Sequence, residues 1–270
     1  MWKKAGPLSN PTGGHRHLVL GSAVAYNARI MITDIARPAT VTEAVKAGSA
    51  PGAAYLGGGT WLNSGRARGV TTLVSLERLG LAAIHADSNR CTIGAAATFQ
   101  AIADNAAVPA GLRQAVLLTA SRTLRNMVTL GGELGLRPAD SAVIPLLLAM
   151  QAEVTLAGRR KPVPVQAIVD EGKAGLILSI SVPLRPASAV RALSRTSHAP
   201  RFLVVARCAD RLVASDCQGQ TAMLRDPAAF QPRADIYASA EYKRSMVAVL
   251  ADELAAAPAA PAAPAQEPSR

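Results

Sequence analysis

The chain has 270 residues, half of them hydrophobic but only 3% aromatic, with 17% charged residues and a net charge of +11. That length can bury a real core in one to three domains. The positive balance raises nucleic acid as a partner, yet the arginines are scattered and no stretch interleaves basic with aromatic side chains, which argues against a single-strand binder.

An acidic partner subunit accounts for the charge equally well, and sparse charge on an apolar majority suggests surface covered by other chains. Cys91, Cys208 and Cys217 are too few and too far apart for an iron–sulfur or zinc site, and an odd number excludes a pure disulfide framework. A reducing, cytoplasmic setting follows as the expectation. No stretch approaches the roughly 18 apolar residues of a membrane span.

Residues 1–30 hold no acidic residue and carry Lys3, Lys4, Arg16 and Arg29 around an apolar run from Leu18 to Ala25. Ala23-Val24-Ala25 resembles a signal-peptide cleavage site, but the long Pro/Gly-rich start favours a disordered extension. Thr40 or Thr42 then caps a short helix over Val41–Ala47. Ala53–Leu56 is a strand end, Leu73–Leu76 a strand, and Ile84 pairs with Thr92-Ile93 across the turn Asp87-Ser88-Asn89. Thr98–Thr123 is mainly helical, broken at Pro109-Ala110-Gly111, and Ser141–Met150 is a second apolar helix. Strands are expected over Ala152–Leu156, Pro162–Val165, Leu176–Pro183, Phe202–Arg207 and Leu212–Ala214. A last helix runs from Ala240 to about Leu254, and Ala/Pro-rich residues 255–270 read as a disordered tail. Strands and helices without regular βαβ alternation make the chain α+β.

Two glycine stretches stand out. Leu56-Gly57-Gly58-Gly59-Thr60-Trp61-Leu62 follows a strand end, where bare backbone reaches angles closed to other residues and lets a partner come close. Successive N–H groups in such a turn form an anion site suited to phosphate; the plain alternative is a surface turn. Arg125-Asn126-Met127-Val128-Thr129-Leu130-Gly131-Gly132-Glu133 repeats the pattern far downstream. Two glycine turns, each beside a threonine hydroxyl, suit a diphosphate gripped from two sides.

With Thr72–Leu79 and Thr92–Thr98 between them, these stretches resemble the FAD-binding medium subunit of the molybdenum hydroxylases, the xanthine dehydrogenase and carbon monoxide dehydrogenase family. The resemblance runs from about Met31 to about Leu254. It implies a two-subdomain PCMH-type FAD-binding fold, of the kind shared with UDP-N-acetylmuramate dehydrogenase, over residues 31–175. A small, shortened C-terminal domain over 176–254 would follow. It also implies FAD on this chain, molybdopterin on a large partner subunit, [2Fe–2S] clusters on a small one, and NAD⁺ or another acceptor. Main-chain N–H groups of Gly57, Gly58, Gly59, Thr60 and Trp61 would meet the diphosphate. Thr129, Leu130, Gly131 and Gly132 would approach the flavin and ribityl side, with Glu133 closing the motif. Arg125 and Asn126 would orient the loop, and Trp61 would pack.

The chain departs from the family pattern where Glu133 replaces an asparagine, where Ala142 stands for an aspartate with Asp140 and Ser141 as the candidate substitutes, and where Ala192, between Arg191 and Arg195, falls at an expected lysine. The resemblance therefore carries two readings: an electron-transfer flavoprotein subunit, or a non-catalytic assembly subunit with weakened or lost FAD binding. A stand-alone FAD reductase is a third, and nucleic-acid binding a distant fourth. His15, His17, His85 and His198 show no metal spacing, and Asp170 and Glu171 have no partner that would make either a general base.

Overall fold

The computed structural model describes residues 32–62, 67–172, 175–196 and 199–256. The extension expected over 1–30, the tail from 257 onward, and His15, His17 and His198 lie outside these residues. The fold is mixed α and β, built on three sheets in chain order.

The first sheet is parallel, with strand order β1 (Asp34–Ala36), β3 (Thr72–Ser75), β2 (Ala53–Leu56). Helix α1 (Val41–Gly48) crosses between β1 and β2. Thr40 caps it: its hydroxyl accepts from Glu43 N at 3.2 Å, and Glu43 reaches back to Ala39 N at 2.9 Å. Ala44 of α1 packs on Val74, Leu76 and Leu176 in a small core.

The second sheet is antiparallel and follows the order β4 (Ile84–Ala86), β5 (Arg90–Gly94), β8 (Ile177–Pro183), β6 (Glu153–Leu156), β7 (Val163–Pro164). Helices α2 (Phe99–Asp104), α3 (Ala110–Thr119), α4 (Arg122–Arg125), α5 (Leu130–Leu136), α6 (Val143–Ala149) and α7 (Val165–Glu171) fill the connections. Every residue of α6 is buried, because it lies between α3 and the third sheet, as an all-apolar helix must.

The third sheet is antiparallel, in the order β12 (Thr221–Leu224), β11 (Arg211–Asp216), β10 (Arg201–Cys208), β9 (Ser188–Ser194). Its strands alternate faces. Val204, Ala206 and Val213 join the main core beside α6, whereas Val205, Leu212 and Ala214 pack under α8 (Ala240–Ala256) with Phe230, Val247 and Leu250. Covering both faces explains the unbroken apolar run Phe202–Ala206.

Three expectations change. The glycine pair at 131–132 is not a turn: it opens helix α5, whose start is capped by Thr129. A division at 175/176 would cut β8 from both of its neighbours, β5 and β6; the sheets change only between Pro183 and Ser188. Helix α8 runs to Ala256, two residues into the expected tail, as alanine's helix propensity allows.

Arg201, at the head of β10, ties the third sheet to α3 and to the loop before α6. Its Nε donates to Asp140 O at 2.6 Å, Nη1 to Leu118 O at 2.7 Å and Nη2 to Asp140 Oδ2 at 2.9 Å. Hydrogen bonds to a charged group contribute about 1.5–3 kcal/mol each when partly buried, and they are not additive. Arg201→Met should therefore lower unfolding free energy by about 2–3 kcal/mol in urea titration; no shift in the midpoint would show the staple to be idle.

Candidate functional site

After β2 the chain enters Gly57-Gly58-Gly59, with Gly59 at φ 69°, a left-handed angle that suits glycine. This segment lies directly against residues 127–129. A Cβ on Gly58 would stand 1.4 Å from Met127 O, and one on Gly57 would stand 2.7 Å from Thr129 Oγ1. The partner brought close by the bare backbone is thus, first of all, the second glycine stretch. A Cβ on Gly131 would in turn meet Ala95 Cβ at 2.7 Å, so that glycine lets α5 close on the end of β5.

The contact separates two cavities. The larger, about 530 Å³, is walled by Gly57, Gly58, Gly59, Thr60 and Trp61 on one side and by Thr129, Gly131, Gly132 and Glu133 on the other. Tyr55, Ala95, Gly135, Leu136 and the segment Gly175–Ile177 complete it. The second, about 420 Å³, borders Gly57, Gly58, Thr98, Asn126, Met127 and Thr129. The expected site residues are therefore brought together, with one exception. Leu130 is fully buried and shares the core-facing stripe of α5 with Leu134, four residues on.

The two stretches differ in what they offer a ligand. Leu130 N donates to Ala97 O (3.1 Å), Gly131 N to Ala95 O (2.8 Å), Gly132 N to Thr129 Oγ1 (3.2 Å) and Glu133 N to Thr129 O (2.9 Å). From Leu130 to Glu133 every main-chain donor is taken; of the second stretch only Thr129 N has no acceptor among the described residues. Among the described residues, the N–H groups of Gly57, Gly58 and Gly59 have no acceptor, so most of the anion-binding capacity sits on the first stretch.

Glu133 is buried, and its Oε1 accepts from Ser141 Oγ at 2.5 Å. Burial pushes its carboxyl up to about 7; Asp140 adds to this, while the Ser141 hydrogen bond and Arg201 oppose it. Ser141 Oγ also accepts from Val143 N and Ile144 N, capping α6. Ser141 thus supplies the polar role missing at the buried Ala142, while Asp140 turns to Arg201.

Other residues lie elsewhere. Arg125 orients its segment through Gln100 Oε1 (3.0 Å) and Ala120 O (2.6 Å). Ala192 sits on β9 against the main core, Arg191 reaches Glu253, and Arg195 donates to Tyr237 O; none of them lines either cavity. His85 is exposed on β4, and Asp170 accepts from Gln166 on the surface of α7. The part of the wall formed by Gly135, Leu136 and Gly175–Ile177 was missed; its only signal was a glycine just before the strand at Leu176. Among the described residues no cluster of His, Cys, Asp or Glu is able to hold a metal, the three cysteines are free thiols, and no helix is long and apolar enough to cross a membrane.

Residues 26–185 match the sequence model of a family described as the FAD binding domain in molybdopterin dehydrogenase. The uncharacterized protein YgfM of Escherichia coli, in strains K12 and O157:H7, is 35% identical over 127 residues. That is 46% of this chain and 49% of YgfM, so the chain spans about half the length of the curated relatives it matches. Among solved structures, a reconstituted CO dehydrogenase from Oligotropha carboxidovorans aligns with TM-score 0.69 at 22% identity, over 82% of this chain and 96% of that one. Quinoline 2-oxidoreductase from Pseudomonas putida 86 gives 0.70 at 18%, over 82% and 94%. Carbon monoxide dehydrogenase from Hydrogenophaga pseudoflava gives 0.69 at 20%, over 83% and 96%. At these identities the structures establish a shared fold.

Proposed function

This chain belongs to the family of FAD binding domains of molybdopterin dehydrogenases, and from that premise we propose that it is the flavin-carrying electron-transfer subunit of a molybdenum-containing hydroxylase. The observation that carries the reading is the pair of cavities meeting at Gly57-Gly58, with unengaged N–H groups at Gly57–Gly59 beside them. A long ligand with an anionic middle and two largely uncharged ends fits that arrangement. The FAD-binding part extends to Pro183, because β8 belongs to its second sheet.

Gly57, Gly58 and Gly59 hold the diphosphate through main-chain N–H groups, with Thr60 adding a hydroxyl. Thr129, Gly131, Gly132 and Glu133 form the facing wall, and Leu130 anchors that wall to the core. Trp61 and Leu136 exclude water from the larger cavity. FAD, when bound, supplies the redox chemistry, which the protein positions and tunes. Electrons from a molybdopterin centre on a large partner chain, relayed through [2Fe–2S] clusters of a small one, would leave through this subunit to NAD⁺ or another acceptor.

A second reading, an assembly subunit with weakened FAD binding, draws on the spent N–H groups at the start of α5 and on the buried carboxyl of Glu133. A visible spectrum of the chain, purified with whatever chains accompany it, separates the two. Flavin bands near roughly 370 and 450 nm, which belong to the cofactor itself, support electron transfer. A colourless protein after incubation with FAD overturns it and leaves the assembly role.

A further inference from the structure

Glu133 is the one charged-type side chain among the described residues of the larger cavity, and nothing in gripping a diphosphate calls for it. It is 5% exposed and ends the first turn of α5. Among the described residues its side chain bonds to Ser141, whose oxygen already receives two main-chain N–H groups and whose single proton goes to Glu133. α6 and β8, both packed on α5, carry no charged residue. The nearby charges are Asp140, Arg201 and Arg137. The Arg201 nitrogens are turned to Asp140 and Leu118, and those of Arg137 to the carbonyls of Leu134 and Gly172. An ionised Glu133 would thus have no cation in contact with it in an apolar wall.

We propose that Glu133 is a specificity residue of the FAD site that admits the cofactor when its carboxyl is neutral and opposes it when ionised. The inference rests on the FAD reading above. FAD brings two negative charges on its diphosphate and carbonyl acceptors on its ring. A neutral carboxyl adds no charge and can donate a hydrogen bond; a carboxylate sets like charge against like charge and acceptor against acceptor. The carboxyl is already held near the pH at which this choice matters, since burial has raised it to about 7. Binding FAD above that pH then draws one proton from water onto Glu133.

The test is FAD titration of the full chain by flavin fluorescence from pH 6 to 8.5. The wild type should bind about tenfold or more weakly at pH 8.5 than at pH 6. Glu133→Gln, which keeps an oxygen for Ser141, should be flat across the range. Calorimetric titration of wild type at pH 8, in two buffers of unlike ionisation enthalpy, should show uptake approaching one proton per FAD, and it needs no variant to fold. A flat wild-type profile without proton uptake, or a Gln variant as steep as wild type, overturns the role of Glu133 and leaves the FAD reading standing. Absence of FAD binding at every pH overturns both.

Discussion

Alanine at position 58 is expected to strip the protein of FAD, lowering affinity at least about a hundredfold. The new Cβ would lie 1.4 Å from Met127 O. The obstacle is main chain, which has no rotamer to escape into. Ordinary contact requires the two segments to part by about 2 Å. Overpacking of this kind costs about 1–3 kcal/mol and sometimes more. It also shifts both walls of a site whose geometry tolerates only about 0.5 Å. Gly135→Ala is the companion experiment. A Cβ there meets nothing within 4 Å, and alanine in a helix gains about 1 kcal/mol over glycine. That variant should fold at least as well as wild type, while its methyl takes room from the cavity alone. Flavin fluorescence and thermal melts of both variants decide the matter. A Gly58→Ala protein that binds FAD normally would sink the glycine wall as part of the site.

Lys243→Met should cost about 3–5 kcal/mol, the usual penalty for stranding one half of a buried ion pair. The Lys243 side chain is fully buried and that of Asp235 is 4% exposed. Nζ donates to Asp235 Oδ2 and, at 2.8 Å, to Arg233 O. Cys217 Sγ donates to the same carboxylate at 3.0 Å, and Tyr237 N and Ala238 N bond its other oxygen. Burial by itself would raise the Asp235 carboxyl, but Lys243, Cys217 and the two N–H groups outweigh it and hold the value at about 2. A depressed acid of this kind stabilises the fold above its unfolded value, and the contribution fades as pH falls toward 2. The variant should therefore unfold at lower urea at pH 7, and in acid at a higher pH than wild type. Replacing Asp235 by asparagine in the same protein should recover part of the loss, since no charge is then stranded. An unchanged urea midpoint would refute the pair's role.

Neither of these two contacts was visible in the residues alone. Lys243 sits in Ala240–Arg244, a polar helix start that reads as a solvated face. Only the irregular segment folded back from β12 brings Asp235 and Arg233 to it. The glycines at 57–59 and 131–132 were legible as places where backbone must come close, and they do form the cavity. Their division of labour was not: whether an N–H is free depends on Ala95 and Ala97, which approach α5 through tertiary packing. Leu130 was read within a turn, whereas helix α5 turns its side chain to the core. Strong strands such as Phe202–Arg207 were found from their apolar runs. β9 and β12 escaped because Ser188–Ser194 and Thr221–Leu224 mix polar and small residues and owe their conformation to pairing with β10 and β11.

The central place of β8 bears on how the protein is made. β5 and β6 never touch in the sheet; each is bridged by a strand that is synthesised later than both. The residues that lead into β8, Gly175 to Ile177, also close the larger cavity. A nascent chain that has passed both glycine stretches still lacks this last wall, along with the strand that pins β5 to β6. At translation speeds of about 5–20 residues per second the gap lasts some seconds, during which apolar strand edges stand open. On the FAD reading proposed above, cofactor capture waits until β8 has cleared the ribosome, and the interval before it is the window in which a chaperone, or a misplaced β-strand from another chain, has access.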